Sequence, residues 1–127
     1  MSGDRLVLDT NAVVSLLNGT SGIATSVSGA SWLGISVITR LEFLAFSKLS
    51  RGDEELFERF CARVDTVGVT KDDSELLETA VRFRREYGLK LPDAVIAATA
   101  IVRRADLITA DGDLGKVEGL RIVHPNP

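Results

Sequence analysis

The chain has 127 residues, 45% of them apolar, and a formal net charge of −3. This length predicts one domain spanning residues 1–127, large enough to bury about two-thirds of its unfolded surface. The negative charge excludes a protein that holds nucleic acid by bulk electrostatics, so any polyanion must be bound at a local site. The apolar runs are too short to span a bilayer and the first residues lack a signal-peptide pattern, so we expect a cytoplasmic protein.

In chain order, short β-branched runs alternate with longer helical patterns, which predicts a parallel α/β sheet. The predicted strands are mostly too apolar for one face to meet water, and they span 5–9, 33–37, 66–69, 106–109 and 120–123. Helical periodicity predicts helices at 38–49, 53–64, 72–87 and 92–104. The stretch 18–31 is rich in Gly, Ser and Thr, and is either a loop or a weak helix.

The first strand ends at a polar interruption, since LVLDTNAVV (6–14) places an aspartate, a threonine and an asparagine between apolar residues. In an open parallel sheet the carboxyl ends of the strands form the crevice where ligands bind, so Asp9 is a candidate site residue. Alternatively, Asp9, Thr10 or Asn11 caps a helix that begins near Ala12. The sequence leaves both interpretations open.

Glu42 lies on an apolar stripe of the predicted helix 38–49. Its neighbours at helical spacing are Ile38, Phe46 and Leu49, so we expect the glutamate to be partly buried and to need a partner. The alternative is a helix at the edge of the sheet, with Glu42 facing water beside Arg40 or Lys48.

Two further acidic positions follow the same logic. Asp93 opens a helix with an almost entirely apolar interior, where it suits the helix dipole but also points to one end of the sheet. Asp111 and Asp113 follow the fourth predicted strand in TADGDL, although Asp-Gly is also ordinary turn chemistry.

Taken together, these acids indicate a shared site, because two strands end in aspartate and adjacent helices can bring Asp93 and Glu42 to the same end. Like charges about 4 Å apart repel by about 4 kcal/mol at an effective dielectric near 20, so such a cluster needs protons or a cation. All-oxygen ligands favour Mg²⁺ or Mn²⁺, and the single Cys61 and single His124 exclude a zinc site. We expect Cys61 to be buried and His124 to be structural or exposed.

A carboxylate-held Mg²⁺ can orient a phosphodiester and activate a water, which is nuclease chemistry. One carboxylate could accept the proton of the attacking water. Thr10, Asn11 and Thr109 are candidates to hold the carboxylates or the metal-bound waters.

Four blocks of the chain, in order, resemble those of a PIN-domain ribonuclease, and most of all the VapC toxins of toxin–antitoxin pairs. The blocks are LVLDTNAVVSLL, ITRLEFL, LPDAVIAATA and LITADGDLGKVEGLRIV. By this resemblance Asp9 and Asp93 match the family's metal-binding aspartates, Glu42 its glutamate and Asp111 its less regular fourth acid. The family often has aspartate followed by phenylalanine in the last block, whereas Asp113 precedes Leu114. This departure leaves open whether Asp111 or Asp113 completes the site.

The resemblance also implies a fold and partners. It implies a three-layer α/β/α sandwich whose five-stranded parallel sheet has the order 3-2-1-4-5, and an acidic pocket that binds Mg²⁺ or Mn²⁺. It further implies an RNA substrate, a homodimer and a cognate VapB-like antitoxin that covers the active site. An RNA-processing nuclease outside a toxin system remains an alternative.

Three other classes fit the residues less well. A haloacid-dehalogenase-like phosphohydrolase has D-x-D-x-T at its nucleophile, and the second aspartate is missing after Asp9. A receiver-like signalling domain needs an aspartate at the end of the third strand, where this chain has Val69-Thr70-Lys71. A non-catalytic binding module would not require all four acids.

Overall fold

A computed structural model describes residues 4–19 and 22–125. Its strands are β1 (Arg5–Leu8), β2 (Trp32–Ser36), β3 (Asp65–Val67), β4 (Asp106–Ile108) and β5 (Ile122–Val123). Its helices are α1 (Thr10–Asn18), α2 (Ile23–Ser28), α3 (Val37–Leu44), α4 (Arg51–Cys61), α5 (Ser74–Tyr87) and α6 (Leu91–Val102). A 3-10 helix, Gly112–Lys116, follows β4. The strands pair in parallel in the order β3-β2-β1-β4-β5, which confirms the predicted sheet.

The sheet separates two layers of apolar packing, because successive strand residues point to opposite faces. In β1, Val7 packs with the apolar residues of α5 and α6, whereas Leu6 and Leu8 pack with α1, α3 and α4. Both faces of the sheet are therefore covered by helices. This arrangement explains why the strand sequences are apolar on both faces, and it confirms the predicted three-layer sandwich.

The predicted helix 38–49 is wrong at its C-terminal end, since α3 ends at Leu44. The apolar residues continue past this point in the sequence. One of them, Leu49, is half-buried and packs against the core between the sheet and α4 although it is not helical. The next helix starts two residues before its predicted position, at Arg51. Ser50 and Asp53 form a capping box there, each side chain accepting a hydrogen bond from the other residue's backbone amide.

The stretch 18–31 contains the end of α1 and the short helix α2, so the weak-helix interpretation is confirmed for Ile23–Ser28. Residues 20 and 21 of that stretch lie outside the described residues, as do 1–3 and 126–127 of the predicted single domain. Cys61 is half-buried against the core, less enclosed than predicted, and His124 is exposed. In the described ranges no helix is long and apolar enough to cross a membrane.

Candidate active site

A pocket of about 180 Å³ lies at the carboxyl ends of the central strands. It is lined by Asp9, Thr10, Asn11, Glu42, Phe46, Asp93, Ile96 and Asp111. The structure therefore brings together one acid from each of the four sequence blocks. Asp113 is exposed and is not among the lining residues.

Asp9 follows β1 directly and is both a helix cap and a pocket residue. Its Oδ1 accepts a hydrogen bond from the backbone amide of Ala12 at 2.8 Å, so the capping interpretation is correct. Burial raises the pKa of Asp9, and the charges of Asp111 and Glu42 raise it further. Hydrogen bonds from the Thr109 hydroxyl and the Ala12 amide offset part of this rise in pKa.

Thr109 links the acids that follow β1 and β4. Its side chain is buried and hydrogen-bonds the carboxylate of Asp9, while its Oγ1 accepts from the backbone amide of Asp111 at 3.0 Å. Asp111 in turn caps the 3-10 helix, with Oδ1 accepting from the amide of Asp113 at 2.9 Å. The turn interpretation is thus correct for Asp111, and the same turn places its side chain at the pocket.

Glu42 is half-buried on α3 and is held from α1. The hydroxyl of Thr10 donates to Glu42 Oε1 at 2.6 Å. The alternative was a Glu42 that faces water beside Arg40 or Lys48. Instead, the side chain is half-buried in the pocket and hydrogen-bonded to Thr10, while Arg40 pairs with Glu58 at 3.5 Å. Glu42 is partly buried, as predicted, and its hydrogen-bond partner is a neutral hydroxyl group.

Asp93 lies in the first turn of α6, two residues after Leu91 begins the helix. Burial is the largest cause that raises the pKa of Asp93, and the charges of three other pocket acids, Asp111, Glu42 and Asp9, raise it further. The charge of Lys90 lowers this pKa. The field of the neighbouring carboxylates thus adds to desolvation in disfavouring the ionised form. A bound cation would reverse this balance.

The donor set of the pocket fits a hard divalent cation. Among the described residues, no three His, Cys, Asp or Glu side chains converge closely enough to ligate one ion together. Mg²⁺ does not need such a group, since it typically uses one or two carboxylates and keeps several waters. The pocket offers four carboxylates with hydroxyl groups beside them, and the pKa values of two of these acids, Asp9 and Asp93, are raised by burial and by the neighbouring carboxylates.

Sequence reasoning missed three residues of this region. Phe46 and Ile96 form apolar walls of the pocket, and Thr39 hydrogen-bonds Thr10 from α3. Helical spacing could have indicated two of them, because Ile96 lies three residues after Asp93 and Thr39 three before Glu42. Phe46 shares the helical spacing of Glu42 in the sequence, which indicated a neighbour on the apolar stripe but not a pocket wall, and it lies beyond the end of α3.

Comparison with known protein families decides between the enzyme classes left open by the residues. The PIN domain family matches residues 6–120 of the chain. The chain belongs to the PIN domain family. PIN domains are nucleases, so the haloacid-dehalogenase-like and receiver-like alternatives are excluded.

Solved structures similar to this PIN domain include toxin–antitoxin complexes. A toxin–antitoxin complex from Klebsiella pneumoniae is 29% identical, with a TM-score of 0.76 over 94% of this chain and 97% of that one. VapBC2 from Rickettsia felis, bound to a promoter DNA fragment, is 18% identical, with a TM-score of 0.77 over 94% and 98%. VapBC-1 from nontypeable Haemophilus influenzae is 22% identical, with a TM-score of 0.73 over 94% and 97%. No curated protein sequence matches significantly.

Proposed function

We propose that this PIN domain is a Mg²⁺- or Mn²⁺-dependent endoribonuclease and the VapC-like toxin of a toxin–antitoxin pair. The observation that carries the proposal is the convergence of Asp9, Glu42, Asp93 and Asp111 on one pocket. A bound divalent ion supplies activation of a water and stabilisation of charge on the phosphodiester oxygens. The shared acidic environment supports binding of such an ion in this pocket.

The chain's own residues have separable tasks in this proposal. Asp9 and Asp93 are the two pocket acids whose pKa is raised, with burial as the largest cause, and they would be the principal metal ligands. Glu42, fixed through Thr10, and Asp111, fixed by its turn, would ligate the ion or its waters, or accept the proton of the attacking water. Asn11 is exposed at the pocket and would contact a metal-bound water or the RNA backbone.

Cleavage of RNA by the purified chain tests the activity. We expect cleavage with Mg²⁺ or Mn²⁺, none with EDTA, and at least a hundredfold loss in the Asp93→Asn variant, beyond the tenfold to hundredfold typical of residues outside the ligand set. Asp72→Asn is the matched control, because Asp72 is exposed and pairs with Lys71 at 3.1 Å. Equal cleavage by wild type and Asp93→Asn, or cleavage that survives EDTA, would exclude the proposed site.

The toxin role is supported by the similar structures, which are toxin–antitoxin complexes. We expect expression of the chain to arrest growth, and the protein encoded by the neighbouring open reading frame to relieve the arrest. An RNA-processing nuclease would cleave RNA in vitro without arresting growth. The homodimer implied by the resemblance stays a prediction, which the mass of the purified chain in solution would test.

An apolar groove beside the active site supports an antitoxin contact. The groove has a volume of about 190 Å³, and Phe46 lines both it and the acidic pocket. Leu56 of α4 lies on the groove and is 39% exposed. We expect a Leu56→Asp variant to retain cleavage and to escape neutralisation by the antitoxin, because a charge would be desolvated in the interface. Unchanged neutralisation would place the antitoxin elsewhere.

A further inference from the structure

Two threonine hydroxyls from different helices form a chain that ends on Glu42. Thr10 Oγ1 lies 2.6 Å from Glu42 Oε1 and 3.3 Å from Thr39 Oγ1. Thr39 is fully buried and does not line the pocket, so it touches neither RNA nor a metal ion. We propose that Thr39 is a positioning residue of the nuclease site, acting through Thr10 on Glu42. The inference rests on the proposed function.

The number of hydroxyl hydrogens sets the direction of donation along these hydrogen bonds. A threonine hydroxyl has one hydrogen to donate, and an ionised carboxylate can only accept. The hydrogen of Thr10 is therefore donated to Glu42, and the oxygen of Thr10 accepts the hydrogen of Thr39. Donation runs from Thr39 through Thr10 to Glu42, so Thr39 fixes the rotation of the Thr10 hydroxyl, which in turn fixes the carboxylate.

A buried threonine in another helix makes a different hydrogen bond. Thr99 of α6 donates to the backbone carbonyl of Val95 at 2.8 Å, which is the ordinary bond of a threonine inside a helix. Among the described residues, the hydroxyl of Thr39 has its hydrogen bond across to α1 instead. Thr39 and Glu42 are three residues apart and share a face of α3, so Thr10 can contact both side chains.

The consequence is a carboxylate that is oriented before any cation arrives. Oε1 of Glu42 is engaged by Thr10, and Oε2 accepts no hydrogen bond from the residues that the structure describes. Without the Thr39 hydroxyl, Thr10 loses the second hydrogen bond that favours the rotamer directed at Glu42, and the carboxylate is oriented less tightly. Groups that orient a metal's surroundings without touching the ion typically contribute tenfold to hundredfold in affinity.

Mn²⁺ affinity, measured by calorimetry on the full chain, tests the inference. We expect Thr39→Val, which keeps the shape and removes the hydroxyl, to weaken Mn²⁺ binding about tenfold. Thr39→Ser keeps the hydroxyl and should bind within about twofold of wild type, because the hydrogen-bond chain is retained. Thr99→Val is the matched control and should leave Mn²⁺ affinity unchanged. A pure packing role predicts the reverse order, since serine leaves a cavity and valine does not.

A second readout needs no metal. The ¹³C resonance of the Glu42 carboxyl, recorded in the metal-free chain, should shift in Thr39→Val and return to the wild-type position in Thr39→Ser. Equal Mn²⁺ affinity and an unchanged resonance in Thr39→Val would overturn the positioning role and leave the proposed function intact. A wild-type chain that binds no Mn²⁺ would overturn the proposed function and this inference together.

Discussion

At the amino ends of the strands, oppositely charged and aromatic groups satisfy one another, whereas at the carboxyl ends like charges share a pocket. Arg5 lies 4.6 Å from the ring centre of Trp32, whose indole N–H donates to Asp65 Oδ2 at 2.6 Å. Arg5 Nε also donates to the carbonyl of Arg103 at 2.8 Å. These groups begin β1, β2 and β3, and each has a partner.

At the opposite ends of the strands, the carboxyl ends, acidic side chains repel one another. There the pKa values of Asp9 and Asp93 are raised by burial and by the neighbouring carboxylates. The contacts at the amino ends of the strands therefore stabilise the fold. The acidic groups at the carboxyl ends lower its stability, which is typical of active sites. Substitutions at the two ends of the strands should separate stability from activity.

The largest effect should come from Asp9→Asn. We expect at least a hundredfold loss of RNA cleavage, because a principal metal ligand loses its charge. The fold should persist, since asparagine also accepts the Ala12 amide as a helix cap. Cleavage rates and far-ultraviolet circular dichroism measure the two properties. Unfolding of the variant, or retained cleavage, would contradict this assignment.

The next largest effect should be on stability alone, at the amino ends of the strands. Trp32→Ala should lower the free energy of unfolding by about 2 kcal/mol, below the usual range for fully buried aromatic residues because Trp32 is half-buried. Mn²⁺ affinity should be unchanged. Trp32→Phe keeps the ring and loses the bond to Asp65, so it should cost less. Urea unfolding measures the stability of both variants. A loss of Mn²⁺ affinity in Trp32→Ala would show that the two ends of the sheet are not independent.

The contrast can be sharpened within one turn by comparing Asp111→Asn with Asp113→Asn. Asp111 lines the pocket and raises the pKa of both Asp9 and Asp93, whereas Asp113 is exposed outside it. We expect about a tenfold loss of cleavage for Asp111→Asn, as for other groups around a metal site, and almost none for Asp113→Asn. The opposite ranking would make Asp113 the fourth acid.

These residues also show how far the sequence could be interpreted. The apolar strands predicted a parallel sheet, and their polar ends predicted where Asp9 and Asp111 would lie. The strand order came from the family resemblance, because periodicity does not specify which strands are neighbours. The end of α3 could not be predicted, since the apolar spacing through Leu49 continues while tertiary packing ends the helix at Leu44.

The hydrogen bonds of the site were only partly predictable for a related reason. Thr109 and Thr10 were predicted as supports because they adjoin strand ends, and both contact a pocket carboxylate. Thr39 was missed because its contact is with Thr10 of α1, 29 residues earlier in the chain. Contacts between distant elements depend on the packing of the layers, which a single sequence does not encode as a local pattern.

The smallest effect should be a gain in stability from Asp93→Asn in metal-free protein. The ordinary pKa of aspartate, 3.8, is raised for Asp93 in the folded chain. Between these two pKa values the folded state holds the proton and the unfolded state does not, so stability falls as pH rises through that window. Above the raised pKa the loss is complete, and it amounts to less than about 1 kcal/mol because solvent screens this partly exposed group.

Asparagine cannot ionise, so Asp93→Asn should melt a few degrees above wild type at about pH 7. The advantage should shrink as pH falls from the raised pKa of Asp93 towards 3.8, and it should vanish where Asp93 is protonated in both states of the wild type. Melting curves of the metal-free proteins across this range measure it. Mn²⁺ should then stabilise the wild type more than the variant, because only the native wild-type site has its full charge. If the higher melting temperature of Asp93→Asn does not depend on pH, then ionisation of Asp93 is not what destabilises the carboxyl ends of the strands.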